Sequence, residues 1–281
     1  MTMIETRSVG LRDRRRLTSS ARWARARKLV LPAITVVVLI ALYQTLISAG
    51  VIDDRFMPGL PALGTALGVA LTDPATYLGM ATTIGVALAG FLAGAIPGAL
   101  IGLISGRNAY VYRALRFTVE FLRPIPAVAL VPLVSVILGP TVQARIFLCA
   151  FMIVWPFYIQ AVYGVRAINP VALETARSFG VGRTETLFRV VLPSASAYIA
   201  TVVRLNIVIA VLVSVSTEIL VTGTTGLGSL LIEYGEGANV PGMYAMVVII
   251  AFVGMLVLWG ASALEKLMLF WHESHRGKED K

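Results

Sequence analysis

The chain has 281 residues, of which 57% are hydrophobic and 14% are charged; its formal net charge is +9 and its mean hydropathy is +0.82. Soluble domains contain about 25% charged residues, so most of this chain must face lipid rather than water. This composition excludes a soluble enzyme, a nucleic-acid-binding domain and a disordered adaptor. The single cysteine, Cys149, lies in an apolar segment and gives no indication of the redox compartment.

The hydropathy pattern predicts an all-α integral membrane protein with about six transmembrane helices. Residues 29–50 carry no charge, and 22 helical residues are long enough to cross a bilayer. Nine Lys and Arg residues precede this segment and no A-x-A-like cleavage site follows it, which favours a retained helix over a secretory signal. Five further spans are predicted at 78–105, 117–138, 144–165, 194–220 and 243–264.

The basic residues divide the loops between the two sides of the membrane. Segments 1–28, 106–116, 166–193 and 265–281 hold 20 Lys and Arg residues together, whereas the loops between them hold only Arg55. Because cytoplasmic loops carry the excess of Lys and Arg, both termini are predicted to be cytoplasmic. The predicted parts are a basic arm (1–28), a transmembrane domain (29–265) with a cytoplasmic loop at 166–193, and a cytoplasmic tail (266–281).

Proline and glycine distinguish the spans from one another. Prolines inside predicted spans are expected to kink or break them, and broken helices at membrane depth usually line a cavity. Glycines at four- or five-residue spacing along the second span predict close packing against another helix. The prolines are Pro97, Pro124, Pro126, Pro132 and Pro156, and the glycines are Gly85, Gly90, Gly94, Gly98 and Gly102.

The loop between the fourth and fifth spans contains a short predicted helix. Asn169 suits its N-cap, Pro170 its first turn and Gly180 its C-terminal cap. Ala172, Ala176 and Phe179 are predicted to share one face. A second helical stretch, 184–191, is predicted to stop at Leu192-Pro193. A short helix of mixed polarity outside the bilayer is a natural docking element for a soluble partner.

These loop residues resemble the cytoplasmic signature of the membrane-spanning subunits of bacterial ATP-binding-cassette importers. That signature is Glu-Ala-Ala, three residues, Gly, nine residues, Ile, one residue, Leu-Pro. Every spacing is kept, and only Thr175 for Ala and Val190 for Ile depart from it, both conservatively. By this resemblance the residues that couple to an ATPase are Glu174, Thr175, Ala176, Arg177, Gly180, Leu192 and Pro193.

Further residues resemble the nitrate, sulfonate and taurine branch of the same family. They are 122–126 (Leu-Arg-Pro-Ile-Pro), 203–205 (Val-Arg-Leu), Glu218 and 226–228 (Gly-Leu-Gly). The resemblance implies the fold of a type I importer permease, with the loop helix as a coupling helix. It also implies a cargo such as a sulfonate, taurine, nitrate or bicarbonate. Aromatic acids and pyrimidine-type compounds are alternatives within the same importer class.

The resemblance also implies partners and a location. We expect a second copy of the permease, two copies of an ATPase, an extracytoplasmic substrate-binding protein, and a bacterial inner membrane. The chain has no G-x-x-x-x-G-K-[ST] phosphate loop, so we expect it to be no enzyme and to bind no cofactor; ATP and Mg²⁺ would belong to the ATPase.

Several residues are candidates for the translocation path or its gate. Arg123 or Arg204 would favour an anion in the path, whereas a salt bridge with Glu120 is the structural alternative for Arg123. Arg145, near a predicted membrane boundary, is expected to extend to the interface, and core packing is the alternative for Trp155. The candidates are Arg123, Pro124, Pro126, Trp155, Arg204, Glu218, Gly226 and Gly228.

Two other classes of membrane protein compete with an importer subunit. A secondary transporter or channel would be favoured by inverted repeats and carboxylates at midplane, and the sequence shows no internal repeat. An intramembrane enzyme would need a concentrated catalytic constellation, and no motif assembles one.

Overall fold

The computed structural model describes the backbone of residues 11–221 and 223–268, and the side chains of these residues except 11–29, 264 and 266–268. The tail predicted at 266–281 therefore lies almost wholly outside the described residues, as do the first ten residues of the basic arm and the side chains of its remainder. The regular elements of the described part are all helical.

The helices follow one another with short connections. In chain order they are α1 (Leu11–Ser48), α2 (Leu60–Thr72), α3 (Pro74–Arg107), α4 (Ala109–Leu122), a 3₁₀ turn (Ala127–Leu130), α5 (Val131–Leu138), α6 (Val142–Arg166), α7 (Pro170–Ser178), α8 (Arg183–Thr186), a π turn (Leu187–Val191), α9 (Leu192–Leu220), α10 (Leu227–Glu236) and α11 (Val240–Met268). Five of the described helical segments are long and apolar enough to cross a membrane, and six do so if the bent pair α4–α5 counts as one span.

The chain divides into two compact units, residues 1–62 and 63–281. In the first unit, the segment after α1 is tied back to that helix. The Tyr43 hydroxyl donates to the Pro58 carbonyl at 2.8 Å, and the Leu60 amide donates to Gln44 Oε1 at 2.9 Å.

Polar caps start three helices of the second unit. Side chains of Asp73, Asn108 and Thr141 accept hydrogen bonds from the first-turn amides of α3, α4 and α6. These caps satisfy donors that a helix cannot satisfy internally.

A row of glycines on α3 holds it against α6. A Cβ atom at Gly90, Gly94, Gly98 or Gly102 would overlap the backbone or Cβ atoms of α6. The predicted close packing of these glycines is therefore confirmed. Gly85 is the exception, because nothing lies within 4 Å of the Cβ that would be added there.

The order of these contacts shows that α3 and α6 are parallel. Gly90 faces Cys149 near the start of α6, and Gly102 faces Tyr158 and Ala161 nearer its end. Two parallel spanning helices start on the same side of the membrane, so the chain between them must cross back. Hence α4 and α5, although bent by 79°, together form one crossing, and the described spans with α1 number six.

The prolines of the third span break it, whereas those in α3 and α6 do not. The span predicted at 117–138 is interrupted between Leu122 and Ala127, where Pro124 and Pro126 lie. Pro97 and Pro156 sit inside helices that continue through them.

The predicted helix end at Leu192-Pro193 is wrong. Helical structure continues from Arg183 to Leu220. Proline lacks an N–H, so an ordinary turn here would lose a hydrogen bond. Instead the Leu192 amide bonds five residues back to the Leu187 carbonyl, and the Ser194 hydroxyl donates to the Val190 carbonyl at 2.7 Å. The wider π turn thus carries the chain past the proline without ending the helix.

Candidate functional site

The short helix α7 has the end structures that its sequence predicts. The Asn169 side chain accepts from the Val171 amide at 2.9 Å, and Pro170 occupies the first turn. The chain leaves the helix at Gly180, whose φ is +71°. A left-handed residue at this position favours glycine and lets the backbone turn sharply after the helix.

One side of α7 packs onto the membrane bundle. Ala176 is buried, and Leu173 is packed against a cluster that contains Val165, Val191 and Ala195. Through this cluster α7 contacts the end of α6 and the start of α9.

The remaining residues of α7, and Phe179 directly after it, are uncovered. Phe179 is 80% exposed and Val171 is 62% exposed. Ala172, Ala176 and Phe179, which are predicted to share one face, differ in burial, since only Ala176 of the three is buried.

The remaining residues of the loop motif surround this helix. Glu174, Thr175 and Arg177 are exposed on α7, and Thr175 donates to the Val171 carbonyl at 2.8 Å. Val190, Leu192 and Pro193 lie at the junction of the π turn and α9. The motif thus joins an exposed helix to the root of a spanning helix.

A cleft of about 450 Å³ lies between α4 and α6. Charged and aromatic side chains contribute most of its polar wall. Two predicted path residues, Arg123 and Pro124, line it. The residues that line it are Tyr112, Arg116, Val119, Glu120, Arg123, Pro124, Tyr158, Ile159, Val162 and Tyr163.

The charges in this cleft are unequally paired. Arg116 Nε lies 2.8 Å from Glu120 Oε1, so Glu120 pairs with Arg116 and not with Arg123 as the salt-bridge alternative predicted. A four-residue spacing brings these two side chains together more readily than their other neighbours. Among the described residues, no carboxylate pairs with Arg123.

Three other predicted path residues do not line this cleft. Trp155 packs beside Tyr158, with its ring edge-on to Phe151, and its indole N–H has no hydrogen-bond partner among the described residues. Pro126 precedes the 3₁₀ turn. Arg204 lies 3.6 Å from Glu265 on α11.

At the opposite ends of α3, α6 and α9 from α7, Glu218 is the centre of a buried polar network. Its side chain is 0% exposed, and Arg145 Nη1 lies 3.1 Å from Glu218 Oε1. Thr83 donates to both carboxylate oxygens at 3.0 and 2.9 Å, and the Gly228 amide donates to Oε2 at 2.9 Å. Burying a charge is tolerated when pairing and hydrogen bonds satisfy it, and both are present here.

The same network fixes the loop before α10. Arg145 also donates to the Thr225 carbonyl at 3.0 Å, and the Leu227 amide donates to Thr83 Oγ1 at 3.0 Å. A Cβ atom on Gly226 would overlap the Glu218 carboxyl group. The predicted residues Glu218, Gly226 and Gly228 are therefore in direct contact.

The expectation that Arg145 extends to the interface is wrong. The residue is 1% exposed because its charge is paired inside the bundle. Sequence reasoning also missed Thr83 and Ser214, whose hydroxyls both donate to Glu218. The sequence marks these two residues only as hydroxyl side chains inside apolar spans, and many spanning helices contain such side chains.

Comparison with known proteins identifies relatives of this arrangement. The family model described as binding-protein-dependent transport system inner membrane component matches residues 98–269. The chain is 27% identical to the taurine transport system permease protein of Escherichia coli over 89% of this chain and 93% of the relative. It is 30% identical to a putative aliphatic sulfonates transport permease protein of the same organism, over 86% and 91%. A nitrate import permease protein of Synechocystis is 24% identical over 93% and 97%.

A solved structure shares the fold. The chain resembles a bacterial ABC transporter involved in the import of the acidic polysaccharide alginate, with a TM-score of 0.60 and 16% identity over 88% of this chain and 98% of that one. At this identity the likeness concerns the arrangement of the helices alone.

Proposed function

The chain belongs to the family of binding-protein-dependent transport system inner membrane components and is the permease subunit of an ABC importer, and we propose that its cargo is a small anion. The anions we propose are a sulfonate, taurine, nitrate or bicarbonate, and the relatives named for taurine, aliphatic sulfonates and nitrate support this class. An aromatic acid or a pyrimidine-type compound is the alternative cargo.

The observation that carries the mechanism is that α7 packs on the bundle through one side only. Its inner side, through Leu173 and Ala176, is seated on the ends of α6 and α9, while Phe179 and Val171 remain uncovered. A partner that binds the uncovered side and moves would shift α7 together with the start of α9. We propose that an ATPase is this partner, and that Glu174, Thr175, Ala176, Arg177, Gly180, Leu192 and Pro193 form the coupling element.

The proposed cycle is alternating access. Closure of two ATPase subunits on ATP and Mg²⁺ would draw together the α7 helices of two permease copies and open the path on the opposite side. A substrate-binding protein there would release the anion, and hydrolysis would restore the first state. In this proposal α7 and both termini are cytoplasmic, consistent with the excess of Lys and Arg in those segments. Arg123, Pro124, Pro126, Trp155, Arg204, Glu218, Gly226 and Gly228 are proposed path or gate residues.

The test is co-purification of the ATPase in mild detergent from native membranes. We expect Phe179→Ala to lose most of the ATPase, because it removes the largest uncovered side chain of α7. Phe56→Ala is the matched control: Phe56 is 74% exposed and lies in a loop that the charge pattern assigns to the other side of the membrane. Undiminished recovery of the ATPase with Phe179→Ala, or uptake that is insensitive to ATP, would contradict the proposal and favour a secondary transporter or channel.

A further inference from the structure

We infer that the cleft between α4 and α6 is a binding site for a single oxyanion group, with Arg123 as its principal ligand and Arg116 at its edge. This inference rests on the proposed function, since it places selection of the anion partly in this chain. The oxyanion is a sulfonate of the cargo or a phosphate of a lipid headgroup, which share the charge and the acceptor geometry that a guanidinium recognises.

Polar and charged residues recur at helical spacing along α4 and its C-terminal end. Tyr112, Arg116, Glu120 and Arg123 are spaced four, four and three residues apart, which places them on one face of the helix. All four line the cleft. The side chains of Arg116 and Glu120 are 62% and 64% exposed and Arg123 is exposed as well, so this charged face is open to a ligand.

Positive charge exceeds negative charge in the cleft. The described cleft lining holds two arginines and one carboxylate, and Glu120 is already paired with Arg116 at 2.8 Å. Arg123 is left without a carboxylate partner among the described residues, although unpaired charges at membrane depth are costly. Arg166, stacked on the Tyr112 ring at 3.6 Å, adds a further positive charge near one end.

The α6 wall of the cleft offers a hydroxyl group without a partner among the described residues, and the cleft is large enough for a small ligand. Tyr158 lines the cleft and is 5% exposed, and its phenolic oxygen has no hydrogen-bond partner among the described residues. The volume of about 450 Å³ lies within the usual range for small-ligand sites. An anion held by Arg123 would thus sit against an aromatic wall, with room for a compact organic tail.

The experiment measures binding of radiolabelled ethanesulfonate to the full chain in phosphatidylcholine vesicles, and retention of phosphatidylglycerol by the chain purified from mixed vesicles. Loss of a charged hydrogen-bond donor weakens binding on the order of tenfold or more, so Arg123→Gln should raise one of the two dissociation constants by that factor. Arg123→Lys, which keeps the charge and loses the planar fork, should give an intermediate value.

Arg113→Gln is the matched control. Arg113 is on the same helix but outside the cleft, and its guanidinium lies over the Tyr110 ring at 5.2 Å. Weaker ethanesulfonate binding only in the Arg123 variants identifies the cargo as the source of the oxyanion; reduced phosphatidylglycerol retention only in those variants identifies a headgroup.

The inference is overturned if Arg123→Gln binds both probes as the wild type does, or if Arg113→Gln weakens binding equally. It is also overturned if the only effect of Arg123→Gln is dissociation of two permease copies, because Arg123 would then pair with an acidic residue of the second copy. None of these outcomes affects recovery of the ATPase through Phe179, so failure of this site is distinguishable from failure of the proposed function.

Discussion

At the scale of single residues, the buried pair Arg145–Glu218 shows how one contact can join three helices and a loop. Glu218 accepts from α6, α3 and the start of α10, while Arg145 also holds the Thr225 carbonyl. The loop before α10 is therefore fixed to the bundle rather than free to move by itself. Any movement of α9 at this end should be passed to α10.

We predict a strong coupling between these two residues. Arg145→Met should lower the free energy of unfolding by about 3–5 kcal/mol, because it leaves a buried carboxylate without its counter-charge. Glu218→Gln should lower it as well, and the double variant should be less destabilised than the sum of the single effects. Thermal unfolding of the four proteins in one detergent measures this; purely additive effects would show that the pair does not interact.

We predict that Gly180 is required for its left-handed backbone conformation, and not because a larger side chain would clash with its neighbours. Gly180→Val should reduce both transport and ATPase recovery, because a β-branched residue is strained at φ +71°. Gly182→Val is the control: like Gly180, Gly182 has nothing within 4 Å of its added Cβ, but its φ is −63°. Equal activity of the two variants would show that the left-handed turn is dispensable.

At the scale of helices, the contact between α3 and α6 depends on the absence of side chains. Gly94 lies against Ala150 and Ile153, where an added Cβ would come within 2.5 Å of the Ala150 carbonyl oxygen and 2.8 Å of the Ile153 Cβ. The two backbones can approach this closely only where neither carries bulk, which is how small residues stabilise helix pairs in lipid.

We predict that Gly94→Leu prevents folding or costs about 3 kcal/mol, the upper end of the usual range for overpacking, because the added atoms meet the backbone of α6. Gly85→Leu, on the same helix but with nothing within 4 Å, should fold as the wild type does. The yield of monodisperse protein and its unfolding temperature measure both. Normal folding of Gly94→Leu would mean that the two helices are farther apart than described.

The helices also show what could be predicted from sequence. Hydropathy alone identified the spans, and the spacing of glycines identified the face of α3 that packs. The proline positions were less informative, because Pro97, Pro156 and Pro193 lie in continuous helical structure whereas Pro124 and Pro126 break it. Around Pro193 the helix continues through a π turn and a local bond from the Ser194 hydroxyl to the Val190 carbonyl, and the presence of proline in the sequence does not predict either. The pairings of Arg145 and Glu120 were likewise missed because they depend on which neighbour is nearest in space.

At the scale of the whole molecule, the parallel packing of α3 and α6 determines the number of crossings. The sequence predicts one span at 117–138, but the 79° bend between α4 and α5 is compatible with either a crossing or a re-entrant loop. Parallel neighbours require a crossing between them, which places Ala109 at the start of α4 and Pro140 after α5 on opposite sides of the membrane.

We predict opposite accessibilities for cysteines introduced at these two places. Ala109→Cys and Pro140→Cys lie at exposed positions on either side of the α4–α5 pair, and the native Cys149 is fully buried, so it need not be removed. An impermeant maleimide should label Pro140→Cys from outside intact cells and Ala109→Cys only in inverted vesicles. Labelling of both from one side would show that α4–α5 does not cross.

The glycine row on α3 has a consequence for how such a chain can vary in length. One residue inserted between Gly90 and Gly94 would turn the preceding part of α3 by about 100° relative to the part that follows. Gly90 would leave the α6 face, and the side chain taking its place would meet Cys149. Four inserted residues would turn it by only about 40°, so insertions and deletions in this span should be tolerated in steps close to whole turns. The loops after α1 and α10 carry no such periodicity, and length variation among related chains is expected to concentrate there.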